Sequence, residues 1–231
     1  MKITILTGAG ISAESGLKTF RDSGGLWENY DVMEVASIQG WHKNQSLVLD
    51  FYNQRRKQLL DVSPNAAHLS LAELEDIHDV CIITQNVDDL HERAGSQNII
   101  HLHGELNKVR SVKSDHLIYE WKKDLKLGDV GEDGHQLRPH IVWFGEAVPM
   151  LDLAVPHVMY ADKLIIIGTS MQVYPAAGLC GYAKSECEIF YCDLDPQPNY
   201  ELNGHNNLQI LKGPATEQVP MLIERIKKEE S

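Results

Sequence analysis

Gly8-Ala9-Gly10-Ile11-Ser12-Ala13 follows directly on the apolar run Lys2–Thr7. A strand ending in a G-x-G-x-x-A turn that opens a helix lets backbone N–H groups approach a pyrophosphate, because glycine has no side chain to block it. An ordinary dinucleotide-binding unit then places an acidic residue about 20 positions on, at the end of a second strand, for the ribose. Here Gly16-Leu17-Lys18-Thr19-Phe20-Arg21-Asp22-Ser23-Gly24-Gly25 follows, too rich in glycine and polar residues for a strand. That departure points away from hydride transfer. Gln85-Asn86-Val87-Asp88 and His101-Leu102-His103-Gly104 carry further reactive side chains. Asn86 and Asp88 alternate across Val87, so an extended backbone points both to one face. An asparagine that donates and accepts beside a carboxylate that accepts is suited to holding an amide, although Asp88 can also cap a helix beginning at Asp89. His103, just past an apolar strand, has a reference pKa near neutrality and suits general-base work. His101 shares its strand parity and reads as packing or support. Ser12, Thr169 and Ser170 are hydroxyl donors for phosphate or ribose.

Apolar runs at 2–7, 80–84, 98–102, 163–168, 188–192 and 208–211 predict strands, and helical patterns at 65–77, 88–93, 151–160, 176–183 and 216–228 separate several of them. This alternation predicts an α/β fold, a parallel sheet with helices on both faces. Gly168-Thr169-Ser170 lies just past an apolar strand, and open α/β sheets bind ligands at the carboxyl ends of their strands. Two segments break the pattern: 44–62 reads as one helix, and 107–138 is polar, with Gly128, Gly131 and Gly134 near its end.

The 231 residues are 43% hydrophobic with a formal charge of −12. That balance argues against a nucleic-acid surface and tolerates lysine-rich protein substrates. No apolar run approaches the ~20 residues that span a bilayer, so no membrane association is expected. The chain enters its first strand at once, leaving no room for a signal peptide. Cys81, Cys180, Cys187 and Cys192 have no C-x-x-C spacing and read as reduced core residues of a cytoplasmic protein.

Seven segments together resemble the sirtuin (Sir2) family of NAD-dependent protein deacylases. They are Gly8-Ala9-Gly10-Ile11-Ser12, Phe20-Arg21-Asp22, Pro64-Asn65-Ala66-Ala67-His68, Thr84-Gln85-Asn86-Val87-Asp88, His103-Gly104, Val142-Trp143-Phe144-Gly145-Glu146 and Gly168-Thr169-Ser170, in family order. The resemblance implies a Rossmann-like NAD-binding core built from 1–39, 65–106 and 139–231. It implies a small module, 40–64 and 107–138, that closes over the NAD cleft.

By the same resemblance NAD is the cofactor, held by Gly8, Ala9, Gly10 and Ser12, by Gly168, Thr169 and Ser170, and by Ala215. Arg21 is implied to meet phosphate or ribose and Phe20 to shield the ribose carbon from water. Gln85 is assigned to the ribose hydroxyls, Asn86 to the ribose and its water, and Asp88 to the nicotinamide carboxamide. His103 is the implied base that activates a ribose hydroxyl, with Asn86 and Asp88 completing the catalytic set. Asp193 stands where the family commonly has an asparagine on the adenosine ribose; a carboxylate there accepts from both hydroxyls and repels a 2′-phosphate.

The implied partner is an acylated lysine in a protein, whose extended backbone adds between Val142-Trp143-Phe144-Gly145-Glu146 and a second loop around Val173. Val142 would accept from the acyl-lysine N–H, Phe144 would line the channel with Gly145, and one of Trp143 and Phe144 is expected to be core. Tyr52 and Arg55 are three apart on the 44–62 helix, hence on one face. With Ala36 they resemble the subclass that removes malonyl and succinyl groups, the arginine gripping the distal carboxylate; acetyl also fits so wide a pocket.

The family's small module usually holds zinc through four cysteines. No cysteine lies between Cys81 and Cys180, and Ser111 stands where the first commonly falls. His116 and Glu120, with His135 nearby, make no closed tetrahedral site. No metal is expected, and Leu117, Ile118, Trp121 and Leu125 are expected to pack as one helix face instead. Two alternatives share these motifs: a mono-ADP-ribosyltransferase and a non-catalytic NAD-binding sensor. The base beside a substrate loop favours deacylation over the first, and the intact Asn86/Asp88 pair argues against the second.

Overall fold

The computed structural model describes residues 1–18, 26–27 and 30–229. The chain opens with β1 (Lys2–Thr7), α1 (Gly10–Ala13) and a short antiparallel pair, β2 (Leu26–Trp27) and β3 (Tyr30–Asp31). Then come α2 (Val32–Val35), α3 (Ile38–Lys43), α4 (Gln45–Leu60), α5 (Ala66–Ala72), β4 (Asp79–Thr84), α6 (Leu90–Ala94) and β5 (Ile99–His101). A three-stranded antiparallel sheet follows, from β6 (Gly104–Ser111), β7 (Ile118–Glu120) and β8 (Leu137–Ile141). The chain ends with α7 (Leu151–Met159), β9 (Lys163–Ile167), β10 (Glu188–Asp193), α8 (Tyr200–Asn203), β11 (Leu208–Lys212) and α9 (Ala215–Lys228).

Six strands pair in parallel in the order β11-β10-β9-β1-β4-β5. Four of them, β1, β4, β9 and β10, are buried almost throughout because they are covered on both faces. Ile3, Ile5, Val80, Ile82, Ile165 and Ile167 face a cluster completed by Ala67 and Leu71 of α5 and by Val219, Leu222, Ile223 and Ile226 of α9. That i, i+3, i+4, i+7 spacing is one helix face. Their alternates, among them Leu6, Cys81, Ile83, Leu164 and Ile166, face Ala154 and Val158 of α7 and Leu179 and Cys180. The α/β expectation is met. The 176–183 pattern is a 3-10 helix, Ala176–Tyr182, and the 65–77 pattern ends in a 3-10 turn, Glu73–Asp76. All four cysteines are free and buried.

Strand order reverses between β1 and β9, and such a switch point opens a crevice at the carboxyl ends of the strands. A third apolar cluster lies across it, where Phe51, Tyr52 and Leu59 of α4 pack with Leu106, Val109, Leu137 and Trp143. In the small sheet β6 and β8 pair at Gly104 and Ile141 and again from Val109 to Ser111, with an irregularity between.

The expected helix face at 117–125 is overturned. Ile118–Glu120 is a strand paired with Lys108–Arg110 of β6, so residues three and four apart do not share a face. Ile118 is exposed, and of the four residues Leu125 alone is fully buried. Asn53 of α4 holds it there, donating to the Leu125 carbonyl at 2.9 Å and accepting its N–H at 2.8 Å. Arg56 adds bonds to the carbonyls of Leu106 and Lys123. Ser111, at the end of β6, donates to Asp133 at 2.5 Å and ties the two arms of the module together.

Candidate active site

The turns after β1 and β9 interlock at the switch point. Gly8 N–H donates to the Ile167 carbonyl and Gly10 N–H to that of Gly168, at 3.0 and 2.8 Å. A Cβ on Gly10 would stand 2.6 Å from the Gly168 Cα, and Gly168 itself has φ +61°, so the approach needs glycine on both sides. Asn65, the cap of α5, anchors the short α1 by donating to the Ile11 carbonyl at 2.8 Å.

Behind this turn Ser12 joins the two side chains that the alternation at 86–88 directs to one face. Asn86 Nδ2 donates to Ser12 Oγ at 3.2 Å, and Ser12 Oγ donates to Asp88 Oδ2 at 3.0 Å. The hydroxyl proton of Ser12 is thereby committed to Asp88. The other Asp88 oxygen accepts the Leu90 N–H at the start of α6, as a residue that caps that helix start does. Burial raises the Asp88 carboxyl above its ordinary range, against the Leu90 N–H, the Ser12 hydroxyl and the charge on His101. Gln85 Nε2 donates to Thr169 Oγ1 at 3.0 Å, linking the loops after β4 and β9.

His103 follows β5 and points its Nδ1 at the Gln85 carbonyl, 3.0 Å away. A carbonyl only accepts, so Nδ1 carries the proton and Nε2 keeps its lone pair toward the cavity. Burial lowers the pKa below the usual histidine value, resisted by the Gln85 carbonyl, so the ring is neutral near pH 7 and can act as a base.

The floor is tied to this strand and to α2. Val142 N–H donates to the His103 carbonyl, and Phe144 N–H to that of Ala36, both at 2.9 Å. Trp143 is buried while Phe144 is exposed at the rim of the cavity, so Trp143 is the core aromatic of the two. Arg138 lies 3.4 Å from the centre of the Trp143 ring and grips Glu146 with two bonds of 2.6 and 3.0 Å; Glu146 in turn accepts the Trp143 N–H at 2.8 Å. The indole Nε1 donates to the Tyr52 hydroxyl at 2.9 Å. Burial pushes the Tyr52 phenol above its ordinary range, outweighing the Trp143 bond and the charges of Arg55 and Arg138.

One cavity of about 420 Å³ joins these parts. Gly8, Ala9, Gly10 and Ser12 line it with Gln85, Asn86, Asp88 and His103. Gly168, Thr169, Ser170, Asp193 and Ala215 extend it along the strand ends, and Ala36, Tyr52, Arg55, Val142, Phe144, Gly145 and Val173 close the other side. Phe20 and Arg21 lie outside the described residues. Leu106 and Ile141 also line it, and as apolar residues next to strand ends they carry no signal distinct from core in the sequence; Val87, which strand alternation directs away from Asn86 and Asp88, lines it too. The donor set suits a dinucleotide: glycine-turn backbone at the switch point, Gln85 and Asn86 amides, and Asp193 at the end of β10 for a sugar diol.

A strand-end cleft lined by glycine turns and a neutral histidine is the kind of site a nucleotide-dependent enzyme uses. The Sir2 family profile matches residues 8–175, and the chain belongs to the Sir2 family. An NAD-dependent protein deacylase of Helicobacter pylori is 58% identical over 228 residues, covering 96% of this chain and 97% of that one. One from Bacteroides thetaiotaomicron is 51% identical over 226 residues, covering 95% of each. Among solved structures, a Sir2 homologue–NAD complex superposes with a TM-score of 0.88 at 39% identity, covering 99% of this chain and 90% of that one. Sir2 bound to acetylated peptide gives 0.77 at 28%, covering 99% and 92%.

Proposed function

We propose that this NAD-dependent protein deacylase removes succinyl and malonyl groups from lysine side chains, and acetyl groups as well, releasing nicotinamide and O-acyl-ADP-ribose. The observation that carries the acyl preference is the presence of Tyr52 and Arg55, one turn apart on α4, in the wall of the cavity that also holds His103. The buried Arg55 brings a permanent charge into a cavity that Ala36, Val87, Leu106 and Ile141 also line with apolar surface. A carboxylate entering there gains a bidentate partner, with the tyrosine hydroxyl as a third bond.

NAD, when bound, supplies the ribose carbon that takes the acyl oxygen as nicotinamide departs. The chain's part is to hold and to orient. We assign Gly8, Ala9, Gly10, Gly168, Thr169, Ser170 and Ala215 to the pyrophosphate and adjacent ribose, and Asp193 to the adenosine ribose diol. Ser12 supports Asp88, whose carboxylate accepts from the nicotinamide amide, while Gln85 and Asn86 meet the ribose. His103 takes a proton from a ribose hydroxyl at Nε2. Phe20 and Arg21 are assigned by family resemblance to the loop that shields the cofactor. A substrate backbone adds as a strand between Val142–Gly145 and Val173; such bonding is indifferent to side chains. The charge of −12 favours lysine-rich protein partners over nucleic acid, no described helix is long and apolar enough to cross a membrane, and four free thiols favour a cytoplasmic location.

Mass spectrometry of products from NAD with acetyl-, malonyl- and succinyl-lysine peptides tests the reading. Faster O-succinyl- and O-malonyl-ADP-ribose formation supports it. A clear preference for acetyl-lysine contradicts the acyl assignment, and ADP-ribosylated protein without deacylation contradicts the reaction.

A further inference from the structure

His101 and His103 share a strand parity but differ in what their rings face. The His103 ring has one hydrogen bond among the described residues, to the Gln85 carbonyl. His101 has two: Nδ1 lies 3.1 Å from the Asn86 carbonyl and Nε2 lies 2.6 Å from Glu92 Oε1 on α6. Neither a carbonyl nor a carboxylate has a proton to give, so both ring nitrogens of His101 must donate, and a ring with two N–H groups is an imidazolium.

We propose that His101 is a positioning residue: held as a cation by Glu92, it clamps the Asn86 carbonyl and sets the Gln85–Asp88 turn to receive NAD, giving the enzyme an alkaline limit. This rests on the reading that Gln85, Asn86 and Asp88 meet the cofactor. The charge environment agrees. Burial alone would lower the His101 pKa, but the Glu92 bond and charge, the Glu105 carboxylate on β6 and the Asn86 carbonyl together raise it above 6.5. Glu92 is correspondingly held below 4.5: burial raises it, and the His101 bond and charge with Lys108 overcome that. Lys108 bonds Glu105 at 2.9 Å; Asp88 and the buried His91 also feel the His101 charge.

The sign of the pH effect follows from which proton leaves. Deprotonation removes one of two donors, and Glu92, charged, is the stronger acceptor, so the remaining proton stays on Nε2. Nδ1 then turns a lone pair on the Asn86 carbonyl, and a clamp becomes a repulsion at a largely buried side chain. The turn relaxes as pH rises through the His101 pKa. Its nearest consequence is weaker NAD binding, because Asn86 and Gln85 are adjacent in that turn; the acyl-lysine floor, though joined to His103 through the Val142 N–H, is braced elsewhere by the Ala36 carbonyl and by the Arg138–Glu146 pair.

The test is the pH dependence of KM for NAD, measured with an acetyl-lysine peptide in the parent enzyme and in Glu92→Gln. Glutamine preserves an acceptor for Nε2 and removes the charge, so the alkaline rise in KM for NAD should move down by about one pH unit, with KM for the peptide unmoved. Side-chain 15N NMR of the parent protein at pH 7 should show both His101 nitrogens protonated. An alkaline limb at the same pH in both proteins, or a singly protonated His101 ring at pH 7, overturns the proposal. Turnover of the peptide by the parent enzyme tests the deacylase reading in the same experiment, so the two failures are distinguishable.

Discussion

Trp143 donates its indole N–H to the Tyr52 hydroxyl at 2.9 Å. An indole nitrogen has no lone pair to offer in return, so Tyr52 accepts in this bond and turns its own proton elsewhere. Burial holds the phenol protonated, which keeps Tyr52 a donor across the physiological range. The loop of residues 142–146 thus also polarises Tyr52 in the cavity wall, and Arg138, stacked on Trp143 and paired with Glu146, fixes the indole that does so.

Tyr52→Phe is therefore expected to lower kcat/KM for succinyl-lysine by roughly three- to tenfold, the range of one lost hydrogen bond at 1.4 kcal/mol per decade. Acetyl-lysine, with no distal carboxylate, should be spared. An equal loss for both substrates in steady-state assays would mean that the hydroxyl serves the fold alone.

His103→Ala should abolish deacylation while NAD affinity changes little, because the base acts after the cofactor is bound and the glycine turns lie apart from it. The lowered pKa of His103 places the acid limb of kcat in the parent enzyme below about pH 6.5. Protonation on that limb removes the Nε2 lone pair, so activity falls as pH falls through it. Near-normal turnover by the alanine variant would exclude His103 as the base.

The small module is expected to hold without metal. Asn53→Ala strips the buried Leu125 backbone of both side-chain partners, at a cost of about 2 kcal/mol. Thermal melting should show Tm lower by roughly 4–8 °C. Strong chelator should leave the parent Tm unchanged, and elemental analysis should find no stoichiometric zinc; a chelator-induced fall would contradict this account of the module.

The parallel sheet was legible because strands covered on both faces read as largely apolar runs, as in Leu164–Ile167, which is unbroken, and in Ile3–Leu6, which Thr4 alone interrupts. The residues of the cleft were legible because loops at strand ends concentrate glycine, amide and imidazole groups, as at Gly8–Ser12 and Gln85–His103. The small module was misread at Leu117–Leu125. Apolar residues there fit a helical period, but pairing with β6 decides the conformation, and that pairing lies in partners distant in sequence. His101 was read as support without its partner, since Glu92 sits nine residues earlier on another element. Nor does a spacing rule connect Trp143 to Tyr52, which meet only when the floor loop folds back onto α4.

The central claim is that Arg55 recognises the carboxylate of an acidic acyl-lysine, and the most direct measurement is kcat/KM of Arg55→Met on succinyl-lysine and acetyl-lysine peptides side by side. Charged hydrogen bonds are worth about 1.5–3 kcal/mol, so succinyl turnover should fall by roughly ten- to a hundredfold while acetyl turnover is retained. Equal slowing of both would place Arg55 in support of the fold or the cofactor and contradict the acidic-acyl pocket.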